Sequence, residues 1–186
     1  FEQAFRPVLQ GGQDILYIAF SSGLSNTFNA GRLAAEELKN EFPERTVTVV
    51  DSLSASAGFG LLVYLAAQHK AAGESLAQVA DFVTNTRLHL CHWFTVDDLK
   101  YLKRGGRISP TVAFVGGLLG IKPILHMDNE GHLINMTKVR GRKQSIKMLA
   151  DKFGELAQDP HSGPVFICHG DCLEDAKQLA QFLRDD

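Results

Sequence analysis

Four hydroxyl side chains and an amide crowd into seven positions at residues 21–27, Ser21-Ser22-Gly23-Leu24-Ser25-Asn26-Thr27. Hydroxyls donate hydrogen bonds without carrying charge, so a cluster of them can orient an anionic group and leave its charge intact. The segment follows an apolar run at residues 15–20 and precedes apolar residues at helical spacing, which puts it at a strand end and a helix start. In open α/β sheets ligands bind beyond the carboxyl ends of strands, and the first amides of a helix suit a carboxylate or phosphate. Capping is the competing use of these residues, although a cap takes only one Ser, Thr or Asn.

The arrangement returns after the next strand as Asp51-Ser52-Leu53-Ser54-Ala55-Ser56. Asp51 repels an anion, so its expected work is to accept hydrogen bonds from loop amides or to bind a hydroxyl. Lys138, Arg140, Arg142 and Lys143 form the dense basic cluster, where a strand hands over to a helix, and Arg104 and Arg107 around Gly105-Gly106 form a second. Such a cluster can dock a phosphate or an acidic partner, and a solvated face is the alternative. Cys168-His169-x-x-Cys172 does not have the spacing of a structural zinc site, and no metal is expected. The sequence has no Gly-x-Ser-x-Gly elbow, no Gly-x4-Gly-Lys-Ser/Thr loop and no Gly-x-Gly-x-x-Gly. Acyl-ester hydrolysis and conventional nucleotide chemistry lose their usual signatures, and no cofactor is called for.

The elements that must position these residues follow from periodicity. Residues 15–20 and 46–50 read as strands, the first of them covered on both faces. Ala30, Ala34 and Leu38, with Leu33 beside them, share a helical face; Leu61, Leu62, Leu65 and His69 share another, which Gly73 ends. Ser75 with Gln78 three positions on is a capping box, opening a helix with Leu76, Val79, Ala80 and Val83 inward. Strand and helix alternating over short connections imply parallel βαβ units.

After about Leu88 the rhythm changes. Residues 93–96 read as a strand and 97–104 as a short helix. Strands at residues 122–127 and 132–138 flank Asp128-Asn129-Glu130-Gly131, an expected hairpin. Gly141 opens a helix with Ile146, Leu149, Ala150 and Phe153 inward; residues 164–168 read as a buried strand, and Asp171 as the cap of a last helix. The expected fold is therefore α/β: a doubly wound parallel-sheet unit over residues 1–88, followed by a smaller α+β domain with antiparallel strands over 89–186.

Across 186 residues, 19 Lys and Arg face 21 Asp and Glu, leaving a formal net charge of −2. No global basic field favours nucleic acid, so any anion site is local. The longest apolar runs fall short of the roughly 20 residues that a membrane-spanning helix needs. Three cysteines fit a reducing compartment, and a cytoplasmic location is expected. The chain opens at Phe1 within one helical pattern and closes within another, giving the expectation of a core cut at both ends.

Several segments together resemble the DegV family of bacterial fatty acid-binding proteins. They are Ser21-Ser22-Gly23-Leu24-Ser25, Val50-Asp51-Ser52, the stretch from Phe94 through Asp97-Asp98 and Lys103-Arg104-Gly105-Gly106-Arg107 to Ile108, Gly120-Ile121-Lys122-Pro123-Ile124-Leu125, Lys138-Val139-Arg140-Gly141-Arg142-Lys143 and His169-Gly170-Asp171. The resemblance implies a two-domain carrier that buries one long-chain fatty acid in an apolar tunnel between its domains. It implies that hydroxyls hold the carboxylate, here Ser21, Ser22 and Ser25 with Gly23 at the turn. The carrier presents that carboxylate to a separate fatty acid kinase subunit, which makes the acyl-phosphate used in phospholipid synthesis. The chain itself is then not an enzyme. Asn26 stands where the family usually has Gly, and the family's Thr-Ser-Gln-Pro-like and Gly-Thr-His-Thr-Gly-Pro-Gly-like segments have no counterpart here.

Candidate tunnel-lining residues are Phe20, Phe59, Leu62, Phe114, Leu118, Leu119, Ile121 and Ile124, and a place in the plain core serves most of them equally well. Lys138, Arg140, Arg142 and Lys143 are read as a docking surface for the kinase, a phosphate or, transiently, an anionic membrane. A phosphate-handling enzyme, a DNA-binding regulator and a domain that only mediates protein contacts stay open as alternatives.

Overall fold

A computed structural model describes residues 1–108 and 120–185. The chain divides into two compact units, Phe1–Leu90 and Cys91–Asp186.

The first unit runs α1 (Glu2–Gln10), β1 (Ile15–Ala19), α2 (Thr27–Glu41), β2 (Val47–Asp51), α3 (Ser56–Ala71) and α4 (Leu76–Thr86). β1 and β2 pair in parallel, from Ile15 opposite Val47 to Ala19 opposite Asp51. Side chains alternate across a strand, and the packing follows that period of two. Ile15, Tyr17 and Val47 pack on a cluster of Phe5, Leu9 and Leu38 from α1 and α2. Leu16, Ile18 and Val50 face Leu62, Ala66, Val79, Ala80 and Val83 from α3 and α4. Helices thus cover both faces of the parallel pair. Close approach explains Gly31 in α2, where a Cβ would come within 2.5 Å of the Tyr17 ring. Leu33 departs from its expected inward place: it is exposed, and Ala35 is buried instead. The Ser75 capping box forms, with the Gln78 N–H donating to Ser75 Oγ and the Ser75 N–H donating to Gln78 Oε1.

The second unit runs β3 (Trp93–Thr95), α5 (Lys100–Arg104), β4 (Ile121–Met127), β5 (Leu133–Arg140), α6 (Arg142–Leu156) and α7 (Leu173–Asp185). Its sheet has the order β3-β4-β5 and is antiparallel throughout, with a register irregularity between Ile124 and Leu125. Asp128 shapes the hairpin turn, its Oδ1 accepting the N–H groups of Glu130 and His132. α6 packs on all three strands and on α7, burying Ile146 and Ala150 as Ile124 and Leu125 are buried in β4.

The structure revises further sequence expectations. Residues 164–168 form no strand, and Val165, Phe166 and Cys168 are exposed. A run of apolar residues is compatible with a strand but does not supply the neighbouring ladder that makes one. Asp97 and Asp98 precede α5 rather than belonging to it, and Asp98 Oδ1 accepts the Lys100 N–H. Asp171 does not cap α7. It has a left-handed φ of 58°, and the Cys172 carbonyl accepts the Ala176 N–H at the helix start. Leu62 and Ile124, two of the tunnel-lining candidates, are fully buried, Leu62 in the cluster with Val50, Ala66, Val79, Ala80 and Val83. Phe114, Leu118 and Leu119 lie outside the described residues. Among the described residues, no helix is long and apolar enough to cross a membrane.

Candidate functional site

β1 and β2 end side by side because they are parallel and in register, so the segments that follow them meet at one edge of the sheet. Backbone bonds join the two segments: the Ser21 N–H donates to the Ser54 carbonyl at 3.0 Å, and the Ser52 N–H to the Ala19 carbonyl at 3.1 Å. Asp51 completes the link. Its Oδ1 accepts the N–H of Ser22 at 3.2 Å and that of Leu53 at 3.0 Å. The carboxylate therefore does the amide-binding work expected of it, and it steadies Leu53 in a left-handed conformation of φ 50°.

Adjacent serines have different surroundings. Ser21 is fully buried, and its Oγ accepts the Gly23 N–H at 3.2 Å. Ser22 is exposed, and its hydroxyl makes no hydrogen bond among the described residues. Ser25 Oγ and Thr27 Oγ1 lie 2.6 Å apart, and Ser25 Oγ also accepts the Thr27 N–H. Asn26 occupies the N-cap position of α2 without a side-chain cap bond, and the first turn of that helix carries no acidic residue. The positive end of the helix dipole therefore meets no carboxylate from its own first turn.

Ser52 and Ser54 are buried and bond to each other's backbone, with Ser54 N donating to Ser52 Oγ at 3.1 Å and Ser54 Oγ to the Ser52 carbonyl at 2.9 Å. They are the internal brace of the second segment. Phe20, next to Ser21, meets Phe59 of α3 edge-on, with ring centroids 6.3 Å apart and an interplanar angle of 82°. Both rings are half-buried, which puts apolar surface beside the hydroxyl cluster.

Arg87 was not among the sequence candidates. It caps the C-terminus of α4, and its Nη1 donates to the Asp51 carbonyl at 2.7 Å across 36 positions of sequence. No local pattern signals such a contact.

The basic cluster in the second unit divides. Lys138, Arg140 and Lys143 are exposed. Arg142 is not a solvated docking group as expected: its Nε donates to Asp175 Oδ2 of α7 at 2.7 Å, and its Nη2 to Cys172 Sγ at 3.7 Å. Burial opposes the Arg142 charge, but the hydrogen bond and charge of Asp175, with Asp97 and Cys172, outweigh burial and raise its pKa. Asp97 bridges Arg142 to Lys122, whose Nζ lies 2.8 Å from Asp97 Oδ1. The hydrogen bond from Lys122, assisted by the charges of Lys122 and Arg142, holds the Asp97 carboxyl below its usual range. Arg104 and Arg107 are exposed. His169 Nδ1 accepts the Cys172 N–H, and among the described residues no three His, Cys, Asp or Glu side chains are grouped to hold a metal.

The family model described as "Uncharacterised protein, DegV family" matches residues 1–186. A DegV domain-containing protein of Clostridium perfringens is 45% identical over 185 residues, covering 100% of this chain; the chain spans 64% of that relative's length. A DegV family protein of Thermus thermophilus, solved for its fatty acid binding, is 34% identical with a TM-score of 0.71, over 84% of this chain and 54% of that one. The fatty acid kinase B3 protein of Streptococcus pneumoniae, loaded with linoleic acid, has a TM-score of 0.82 at 23% identity. That match covers 99% of this chain and 65% of the other, and it establishes a shared fold.

Proposed function

The chain belongs to the DegV family, and on that premise we propose that it binds the carboxylate of a long-chain fatty acid at residues 21–27 and presents it to a separate kinase. The observation that carries this reading is the exposed Ser22 hydroxyl, beside the Ser25–Thr27 hydroxyl pair at the start of α2 and close in sequence to the half-buried Phe20–Phe59 pair. The Thermus relative's fatty acid binding supports the ligand, and the Streptococcus protein supports the kinase as partner.

The energetics agree with a site built from neutral hydroxyls. An acyl chain of about 16 carbons has roughly 14 methylenes, and burying them supplies on the order of 11 kcal/mol before ordering costs. Affinity then needs no direct ion pair at the head group. Hydroxyl donors orient a carboxylate without neutralising it, which keeps one oxygen nucleophilic toward a phosphoryl group. Phe20 and Phe59 are the proposed first contacts of the acyl chain in this unit.

In this reading the chain is a carrier, and phosphoryl transfer belongs to the partner. Lys138, Arg140 and Lys143 remain the proposed docking residues for that partner or for an anionic membrane surface. The test is mass spectrometry of an organic extract of the purified protein, with a native mass spectrum for stoichiometry. One long-chain fatty acid per chain is the expected result. Bare protein from lipid-replete cells, with no binding of added fatty acid, overturns the proposal.

A further inference from the structure

We propose that Arg87 is a positioning residue for the head-group loop, acting through Asp51 on Ser22. The proposal rests on the head-group reading of residues 21–27 and adds to it a residue from outside both loop segments. Arg87 closes α4, and its Nη1 holds the carbonyl of Asp51, the last residue of β2, at 2.7 Å. The same Asp51 uses its carboxylate to hold the Ser22 and Leu53 amides. A chain of two hydrogen bonds therefore runs from the end of α4 through the end of β2 to the exposed serine.

Arg87 does more than fill a structural slot. Its guanidinium is half-buried, and among the described residues no carboxylate lies within ion-pairing distance. Its Nε is buried and meets no hydrogen-bond partner there. Burying a cation without a counter-ion and leaving a donor unsatisfied both cost free energy, and an aliphatic residue at this helix end avoids both. The arrangement places the Arg87 guanidinium on the carbonyl of the same residue whose carboxylate holds the Ser22 and Leu53 amides. It therefore fixes the Ser22 amide from outside the loop, and a hydroxyl held in place gains more from a charged head group than from a neutral one, with no cation in direct contact to blunt a carboxylate nucleophile.

The experiment compares wild type, Arg87→Met and Arg87→Lys in binding palmitate and cetyl alcohol, whose chains match and whose head groups differ in charge. Amide exchange at Ser22 and Leu53 is followed in the same proteins without ligand. Arg87→Met is expected to lower palmitate affinity about tenfold while changing cetyl alcohol affinity little, and to speed exchange at both amides. Arg87→Lys keeps a donor and the charge, and is expected to recover most of both effects. Arg87→Ala, which also removes the donor, is read in the same way and carries the comparison if the methionine variant unfolds. Unchanged exchange at Ser22 and Leu53 overturns the proposal. Equal loss of both ligands without rescue by lysine also overturns it, reducing Arg87 to a support of the fold. Wild-type protein that binds neither ligand overturns the head-group reading, whereas the positioning role is still decided by amide exchange.

Discussion

Asp51 Oδ1 accepts the backbone N–H of Ser22 at 3.2 Å, joining the ends of two parallel strands across 29 positions of sequence. The same oxygen holds the Leu53 amide, so one carboxylate orders both segments of the candidate site. Asp51→Ala removes the acceptor from two amides and from a left-handed Leu53, and it is expected to cost about 1–3 kcal/mol of stability. Asp51→Asn keeps an acceptor and should cost less. Urea denaturation of the two variants checks the order, and equal stability of wild type and the alanine variant contradicts this account of Asp51.

Ser21 and Ser22 are expected to separate stability from function. Ser21→Ala takes the acceptor from the Gly23 N–H inside the protein, and about 1 kcal/mol of stability should go with it. Ser22→Ala touches an exposed hydroxyl, so its melting temperature should stay at the wild-type value. A lost hydrogen bond to a charged head group costs roughly 1.5–3 kcal/mol, so fatty acid affinity or kinase-coupled acyl-phosphate formation should fall about tenfold or more in that variant. Wild-type coupling in the double variant removes both serines from the head-group site.

The basic residues of the second unit should behave as two classes. Arg142→Met strips Asp175 of its partner and loosens α6 from α7, and thermal unfolding should show a loss of about 1–2 kcal/mol. Reversing Arg140 and Lys143 to Glu changes exposed charges, so stability should move by no more than about 0.5 kcal/mol. In the reversed protein, fatty acid affinity should hold while kinase coupling falls and loses its dependence on ionic strength. Abolished lipid binding with intact coupling would instead assign these two residues to the head-group site.

His92 gives stability a pH dependence of known sign. Burial, with the nearby charge of His126, pulls its pKa down from about 6.5 to about 4. Between those values the unfolded chain binds a proton that the folded chain refuses. Its contribution is therefore complete above pH 6.5 and is lost as pH falls toward 4, by up to about 3 kcal/mol. Asp97 and Asp98, whose pKa values are lowered chiefly by hydrogen bonds from Lys122 and Lys100, add losses only at still lower pH. NMR titration should find the His92 ring neutral at pH 5.5. A midpoint near 6.5 would show that the ring is not shielded as the structure has it.

Much of the fold was legible in local sequence because its causes are local. The Ser75–Gln78 capping box needs only two residues three positions apart, and the turn at Asp128 is made by Asp128's own carboxylate. The apolar run of β1, the β-branched run of β2 and the helical spacing in α2, α3 and α4 mark these elements in the sequence. The strand-to-helix position of residues 21–27 follows from those patterns, and the resemblance carried by the motifs supplied the family. The same reasoning misread residues 164–168, where apolar character stood in for a pairing partner that the described structure does not provide.

Tertiary structure alone decided which polar groups meet. Ser21 and Ser22 are chemically identical neighbours, but the bend after β1 buries one hydroxyl and exposes the other. Arg142 looked like part of an exposed cluster until α7 brought Asp175 and Cys172 against it, over 33 and 30 positions of sequence. Arg87 reaches Asp51 because α4 packs back along β2. Periodicity records how often a side chain faces inward, whereas a hydrogen bond or ion pair depends on angstrom-scale proximity between segments whose separation in sequence carries no trace of it.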